Sequence, residues 1–187
     1  MDPRTPERIR HHYDVERELA AKLRASSREG RTELFKTLYT ELFERVPDHP
    51  RVTRRVTEEE SASKVAGQMR FLAPHLERES TLLEFAPGDC RLAFRAAEVC
   101  EKVIGVDISD QRADGQQSPE NFELIVYDGY ELPERLENSV DVVFSNQFLE
   151  HLHPEDVPLH FEHVRRILKP GGKYVFDTPH RFSGPHD

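Results

Sequence analysis

Residues 82–107 read LLEFAPGDCRLAFRAAEVCEKVIGVD, and the fold is decided there. Leu82, Leu83 and Phe85 suit a buried strand that carries Glu84 at its carboxyl end. Ala86-Pro87-Gly88-Asp89 is turn chemistry, because proline presets φ and glycine permits left-handed or close-approach backbone. Leu92, Phe94, Ala96, Ala97 and Val99 continue as a helix, and Val103 to Val106 form a second buried strand tipped by Asp107. Strand, turn, helix and strand make a βαβ unit. Its ligand site lies at the strand ends, where the helix N-terminus leaves backbone N–H groups to be satisfied.

An acid about 20 residues past a glycine turn is placed to accept the hydroxyls of a ribose, and Asp107 stands at that distance from Gly88. A dinucleotide turn would want glycine at positions 86, 88 and 91. Here they hold Ala86, Gly88 and Arg91, and the bulk of Arg91 opposes close packing around a pyrophosphate. A nucleoside ligand without a pyrophosphate fits better.

E-F-A-P-G-D-C resembles motif I of the class I S-adenosylmethionine-dependent methyltransferases, an acid followed by G-x-G-x-G. Glu84 matches the acid and Gly88 the central glycine, while Ala86 and Cys90 stand where the family usually has glycine. The resemblance covers roughly residues 62–180. It implies an α/β, Rossmann-like parallel sheet in the order 3-2-1-4-5. The family's last two strands, an antiparallel hairpin, are absent, as if the domain were C-terminally truncated. It also implies S-adenosylmethionine as cofactor and S-adenosylhomocysteine as product. Glu84 and Gly88 would serve the methionine end, with Ala86 in the same turn. Asp107 would take the ribose with Ile108 beside it, and Asp128-Gly129 the adenine. Asp128 equally suits the closing of a turn.

Phe122–Tyr127 and Val140–Ser145 read as the third and fourth strands, with no clear helix in the polar run 109–120. Asn146 and Gln147 follow the fourth strand, where the resemblance places cofactor contacts. His151 is the general-base candidate, since its ordinary pKa is near neutrality, although a structural role for it is as well supported. A helix over 154–168 points Val157, Phe161, Val164 and Leu168 inward. Lys169-Pro170-Gly171-Gly172 ends it, and Lys173–Asp177 form the fifth strand. His180 and Arg181, just past that strand, are the substrate-contact candidates. His151, His153, His160 and His163 match no usual zinc arrangement and read as surface histidines, so no metal is expected.

Residues 1–77 read as a helical cap or arm and 78–187 as the cofactor-binding domain. Helical patterns cover 6–28, 31–46 and 61–76. The arm suits either cofactor and substrate cover or packing and dimer contact. With the exposed sheet edge, it is the expected route to a homodimer.

Across 187 residues the net charge is −9, which argues against nucleic acid as partner. Cys90 and Cys100 read as reduced core thiols. No apolar run reaches membrane-spanning length and no signal peptide opens the chain, so no membrane partner and a cytoplasmic location are expected. The function these features imply is methyl transfer to a small-molecule, lipid or sugar-type acceptor. A cofactor-binding module without turnover and an NAD-dependent oxidoreductase are the alternatives.

Overall fold

The computed structural model describes residues 4–53, 57–113 and 115–179, and its contacts divide the chain into two compact units, 1–57 and 58–187. In the first unit, α1 (Pro6–Arg24) and α2 (Arg28–Arg45) pack together around Val15, Leu19, Leu42 and Val46. Thr5 accepts the Arg8 amide at the start of α1, and Ser27 accepts the Gly30 amide at the start of α2. The helical pattern over 6–28 therefore breaks at Ala25. The Ser26 hydroxyl closes the end of α1 on the Leu23 carbonyl at 2.6 Å, and Ser27 opens the next helix. A short α3 (Pro50–Thr53) follows the bend at 46–49.

The second unit is built on five parallel strands: β1 (Thr81–Phe85), β2 (Lys102–Asp107), β3 (Phe122–Val126), β4 (Val140–Asn146) and β5 (Leu168–Asp177). Their order is β3-β2-β1-β4-β5, the Rossmann-like arrangement expected. α4 (Glu58–Leu72), included in the expected 1–77 arm, falls in this unit and packs on α5 (Arg91–Ala97) through Val65, Met69 and Leu72. Alternate residues of β1 feed two cores. Leu82 joins the layer of α4 and α5, while Leu83 and Phe85 join the layer of α6 (Val157–Ile167). A Cβ on Gly105 would meet Pro87, Leu124 and Phe122 at 3.1–3.2 Å, so glycine lets β2 pass beneath the β1–α5 turn.

Two details depart from the sequence pattern. The Lys169–Gly172 turn does not precede β5 but loops out within it. Val140 pairs Leu168, then Val142 pairs Lys173, so four residues oppose Asp141 alone. Asp141 holds this irregularity through Lys169 Nζ and the Thr81 amide, both at 2.8 Å, and so has a structural part. In α6 the inward stripe is His160, His163, Val164 and Ile167, and Phe161 is 43% exposed. The helix is rotated from the apolar-only pattern because His160 finds a buried hydrogen-bond partner.

Candidate cofactor site at the strand ends

The turn leaving β1 is its most constrained piece of backbone. Ala86, Gly88 and Cys90 all have positive φ, at 53°, 55° and 61°. These are the three positions at which motif I usually has glycine. Side chains at left-handed backbone cost about 1–2 kcal/mol each. Exposed Ala86 loses no packing on truncation, so Ala86→Gly is expected to raise stability by about 0.5 kcal/mol once glycine's entropy is counted. Buried Cys90 fills the α5 core, so Cys90→Gly is expected to be neutral or to lose about 1 kcal/mol. Denaturant midpoints of the two variants check both signs.

Glu84 lies under this turn, 5% exposed. Its Oε2 is buried and meets no hydrogen-bond partner. Desolvation, with Asp89 and Asp107 nearby, pushes its carboxyl up to about 8. An acid left so, once ionised, calls for a cationic partner. Burial, with a smaller contribution from Glu84, pushes the neighbouring Cys90 thiol up to about 12, in keeping with the reading of a reduced core thiol.

At the end of β2, Asp107 is equally buried. Its Oδ2 accepts the Gly88 amide at 3.3 Å, and its Oδ1 accepts the Ser109 amide at 3.3 Å and Gln111 Nε2 at 3.5 Å. Burial raises its pKa despite these long bonds. Asp107 thus ties β2 to the motif I turn while keeping acceptor capacity. Ile108 beside it exposes 41% of its surface, an apolar flank next to the acid. Past β3, Asp128 is exposed, and its Oδ1 accepts the Tyr130 and Glu131 amides at 2.8 Å, so it does close a turn. Its Oδ2 is engaged by no described residue.

After β4, Gln147 adopts φ 51°, and its amide nitrogens reach Asp177 on β5 through N to O at 2.8 Å and Nε2 to Oδ2 at 3.0 Å. Gln147 therefore ties β4 to β5 here, with Asn146 half-buried just before it. His151 ends a single 3₁₀ turn, Leu149–His151, and is exposed. His180 and Arg181 lie outside the described residues.

The reading of four surface histidines holds only for His151. His153, His160 and His163 are buried. His160 Nε2 meets the Tyr174 hydroxyl at 2.8 Å, which meets Ser145 Oγ at 2.8 Å. Phe85, Phe148 and Tyr174 ring His160, and burial pulls its pKa down to about 4, so it stays neutral. These bonds tie β4 and β5 to α6, with Phe85 of β1 against the His160 ring. The sequence carries one signal for them: a polar Ser145 directly after the apolar run Val142–Phe144.

Arg91, the residue that opposes a dinucleotide turn, is used otherwise. Its guanidinium grips Glu58 of α4 with two bonds, at 2.6 and 2.8 Å.

A parallel 3-2-1-4-5 sheet with buried acids at the ends of β1 and β2 defines a nucleoside-cofactor α/β domain. Residues 83–176, half of the chain, match the family described as Methyltransferase domain. The chain belongs to that family of S-adenosylmethionine-dependent methyltransferases, whose methyl donor is S-adenosylmethionine. Among solved structures it is similar to a protein from Pyrococcus horikoshii OT3, at 27% identity and TM-score 0.57, covering 69% of this chain and 64% of that one. It is also similar to Haemonchus contortus phosphoethanolamine N-methyltransferase 1 in complex with phosphoethanolamine and S-adenosylhomocysteine, at 23% identity and TM-score 0.64, covering 82% and 33%. A third likeness is to Burkholderia thailandensis 1,6-didemethyltoxoflavin-N1-methyltransferase, with that substrate and S-adenosylhomocysteine bound, at 18% identity and TM-score 0.59, covering 81% and 64%. The chain spans less than two thirds of each of these proteins. No curated protein matches it in sequence. Among the described residues, no helix is long and apolar enough to cross a membrane.

Proposed function

We propose that this chain transfers the methyl group of S-adenosylmethionine to a small-molecule acceptor. The buried, unpartnered Glu84 carboxylate under the motif I turn is the observation that carries the reading. Glu84 receives the ammonium of the methionine moiety, where ion pairing offsets the desolvation that keeps the acid protonated in the free chain. The amide of Gly88 and the backbone of Ala86 line the same turn. Asp107 takes the ribose hydroxyls on its carboxylate, and Ile108 covers one face of the nucleoside. Asp128 offers Oδ2 to the exocyclic amine of adenine, with Gly129 beside it. Asn146 and Gln147, held by Asp177, border the methionine end.

When bound, the sulfonium supplies a methyl group already activated for in-line displacement. The chain's own work is alignment, since a reactant held in line gains most of the available acceleration through entropy. The Ser145–Tyr174–His160 chain serves this by fixing the end of β4 beneath the reacting groups. His151 is the base where the acceptor must lose a proton. The substrate-bound structures of similar fold hold small molecules, phosphoethanolamine and 1,6-didemethyltoxoflavin, and this supports the acceptor class.

S-adenosylhomocysteine at 100 times its Kd is expected to stabilise the chain by about 2.7 kcal/mol. That is roughly 5–10 °C in melting temperature. Absence of any shift at millimolar ligand, in a chain folded by circular dichroism, would overturn the cofactor assignment. Methyl transfer from labelled cofactor to a panel of small amines and alcohols then tests turnover. Tight binding without product on any acceptor would favour the non-catalytic module, for which Ala86 and Cys90 at family glycine positions speak.

A further inference from the structure

We infer that His12, Glu16 and His49 bind a divalent transition metal of the zinc class within the N-terminal unit. His12 and Glu16 stand one turn apart on α1, so their side chains share a face. His49 comes from the bend after α2. Its amide bonds the Val46 carbonyl at 2.9 Å, and its own carbonyl accepts from Val52 and Thr53 at the start of α3. Backbone on both sides therefore fixes where this ring sits.

The ligand atoms of the three side chains lie within 4.8 Å of one another. Glu16 Oε1 is 2.8 Å from His12 Nε2 and 3.5 Å from His49 Nε2. The two imidazoles meet edge to face with centroids 4.5 Å apart. Zinc bound tetrahedrally at about 2.0–2.1 Å spaces its ligand atoms by about 3.4 Å. Shifts of about 1 Å would close the three atoms on one ion.

A second observation separates this set from an ordinary ion pair. His12 Nε2 is buried and makes no directed hydrogen bond, although Glu16 Oε1 is only 2.8 Å away. The contact is too bent for a hydrogen bond, so the buried nitrogen is left with close proximity to the carboxylate and no directed partner. His49 is 7% exposed and packs on Phe43 at 5.2 Å, which shelters its side of the cluster, while the Glu16 side chain is 28% exposed and leaves the other side open to solvent. Two imidazoles and one carboxylate suit zinc, cobalt or nickel better than calcium or magnesium, and three protein ligands leave a fourth position for water.

Arg4 opposes loading. Its Nη1 lies 2.8 Å from His12 Nδ1, and a guanidinium only donates, so the metal-free ring keeps its proton on Nε2. On binding, that proton moves to Nδ1 and Arg4 is displaced. The set escapes sequence inspection because one ligand is far along the chain from the other two. Of the more conspicuous histidines, His153, His160 and His163 are buried in the other unit and His151 stands exposed there.

The full chain, stripped with chelator, is titrated with Co²⁺ and followed by its visible d–d bands, then with Zn²⁺ by calorimetry. One Co²⁺ per chain is expected, with bands of a four-coordinate site that Zn²⁺ abolishes. His12→Ala and His49→Ala are expected to weaken binding more than about 100-fold, beyond the loss of an outer-shell partner. Glu16→Gln weakens it less, and Arg4→Ala strengthens it. His11→Ala removes an exposed ring on the same helix, bonded to the Arg45 carbonyl at 3.1 Å, and leaves binding unchanged. Circular dichroism confirms each variant folded, with His49→Gln replacing any His49→Ala protein that is not. Absence of d–d bands at millimolar Co²⁺, bands that survive loss of His49 in a folded variant, or bands lost with His11 would each overturn the assignment.

Discussion

Glu84→Gln raises the melting temperature of the cofactor-free chain and lowers its affinity for S-adenosylmethionine. The two effects have one cause. A carboxyl whose pKa is about 8 when folded, against an ordinary 4.5, binds more protons folded than unfolded between those values. Its contribution to stability is intact below pH 4.5, falls as pH rises through that window, and is fully lost above pH 8. The loss at pH 7 is on the order of 3 kcal/mol. Glutamine keeps the shape and never ionises, so the variant should melt roughly 5–10 °C higher at pH 7, with the gap closing toward pH 4.5. The same change removes the anion that would receive the ammonium, and a charge-assisted bond is worth about 1.5–3 kcal/mol. Affinity should fall roughly 10- to 100-fold. In the parent, binding at pH 7 should release about one proton, read by calorimetry in buffers of different ionisation enthalpy. A Glu84→Gln protein that melts no higher and binds equally well would remove Glu84 from the site.

This opposition between stability and binding explains why motif I is legible in the sequence at all. An acid in the middle of L-L-E-F breaks an apolar strand, and such a break survives where it is used. The sheet order is readable for a similar reason. Val103–Val106 and Val142–Phe144 are buried on both faces and leave little choice but parallel strands between helices. The left-handed backbone at Ala86 and Cys90 is not readable from residue type, because neither residue favours it; only the motif's spacing hints at it. The two helices 6–28 and 31–46 are legible, but their boundary is read about three residues late because serine is tolerated within helices; the Ser26 and Ser27 hydroxyls close α1 and open α2. The buried face of α6 is misjudged when histidine is scored as polar, whereas His160 is neutral, ringed by aromatics and bonded to Tyr174.

The largest expected loss of affinity comes from Asp107→Ala. Two functions coincide on this carboxylate. It holds the Gly88 and Ser109 amides in the free chain, and in the proposed complex it takes the ribose hydroxyls. If its work were only to fasten the turn, the alanine variant would melt lower and bind nearly as well. The raised pKa argues otherwise. Desolvation outweighs the bonds from Gly88, Ser109 and Gln111, so the ionised group is on balance unfavourable in the free fold. Removing it should change stability at pH 7 by less than about 1 kcal/mol, the lost turn bonds offsetting the relieved desolvation. The ribose hydroxyls then lose a charged acceptor, and water replaces only part of it. The affinity loss should be on the order of 2–3 kcal/mol, roughly 30- to 150-fold. Asp107→Asn keeps one acceptor oxygen and should lose less. Asp110 is the internal control. It is exposed, is held by Arg112 at 2.6 and 2.9 Å, and its pKa is drawn down to about 2 by that partner. Asp110→Ala should bind cofactor like the parent. Calorimetry with S-adenosylhomocysteine on these variants, beside their melting curves, separates the two functions. An Asp107→Ala protein that melts several degrees lower yet keeps its affinity would make Asp107 a fastener of the turn and place the ribose elsewhere.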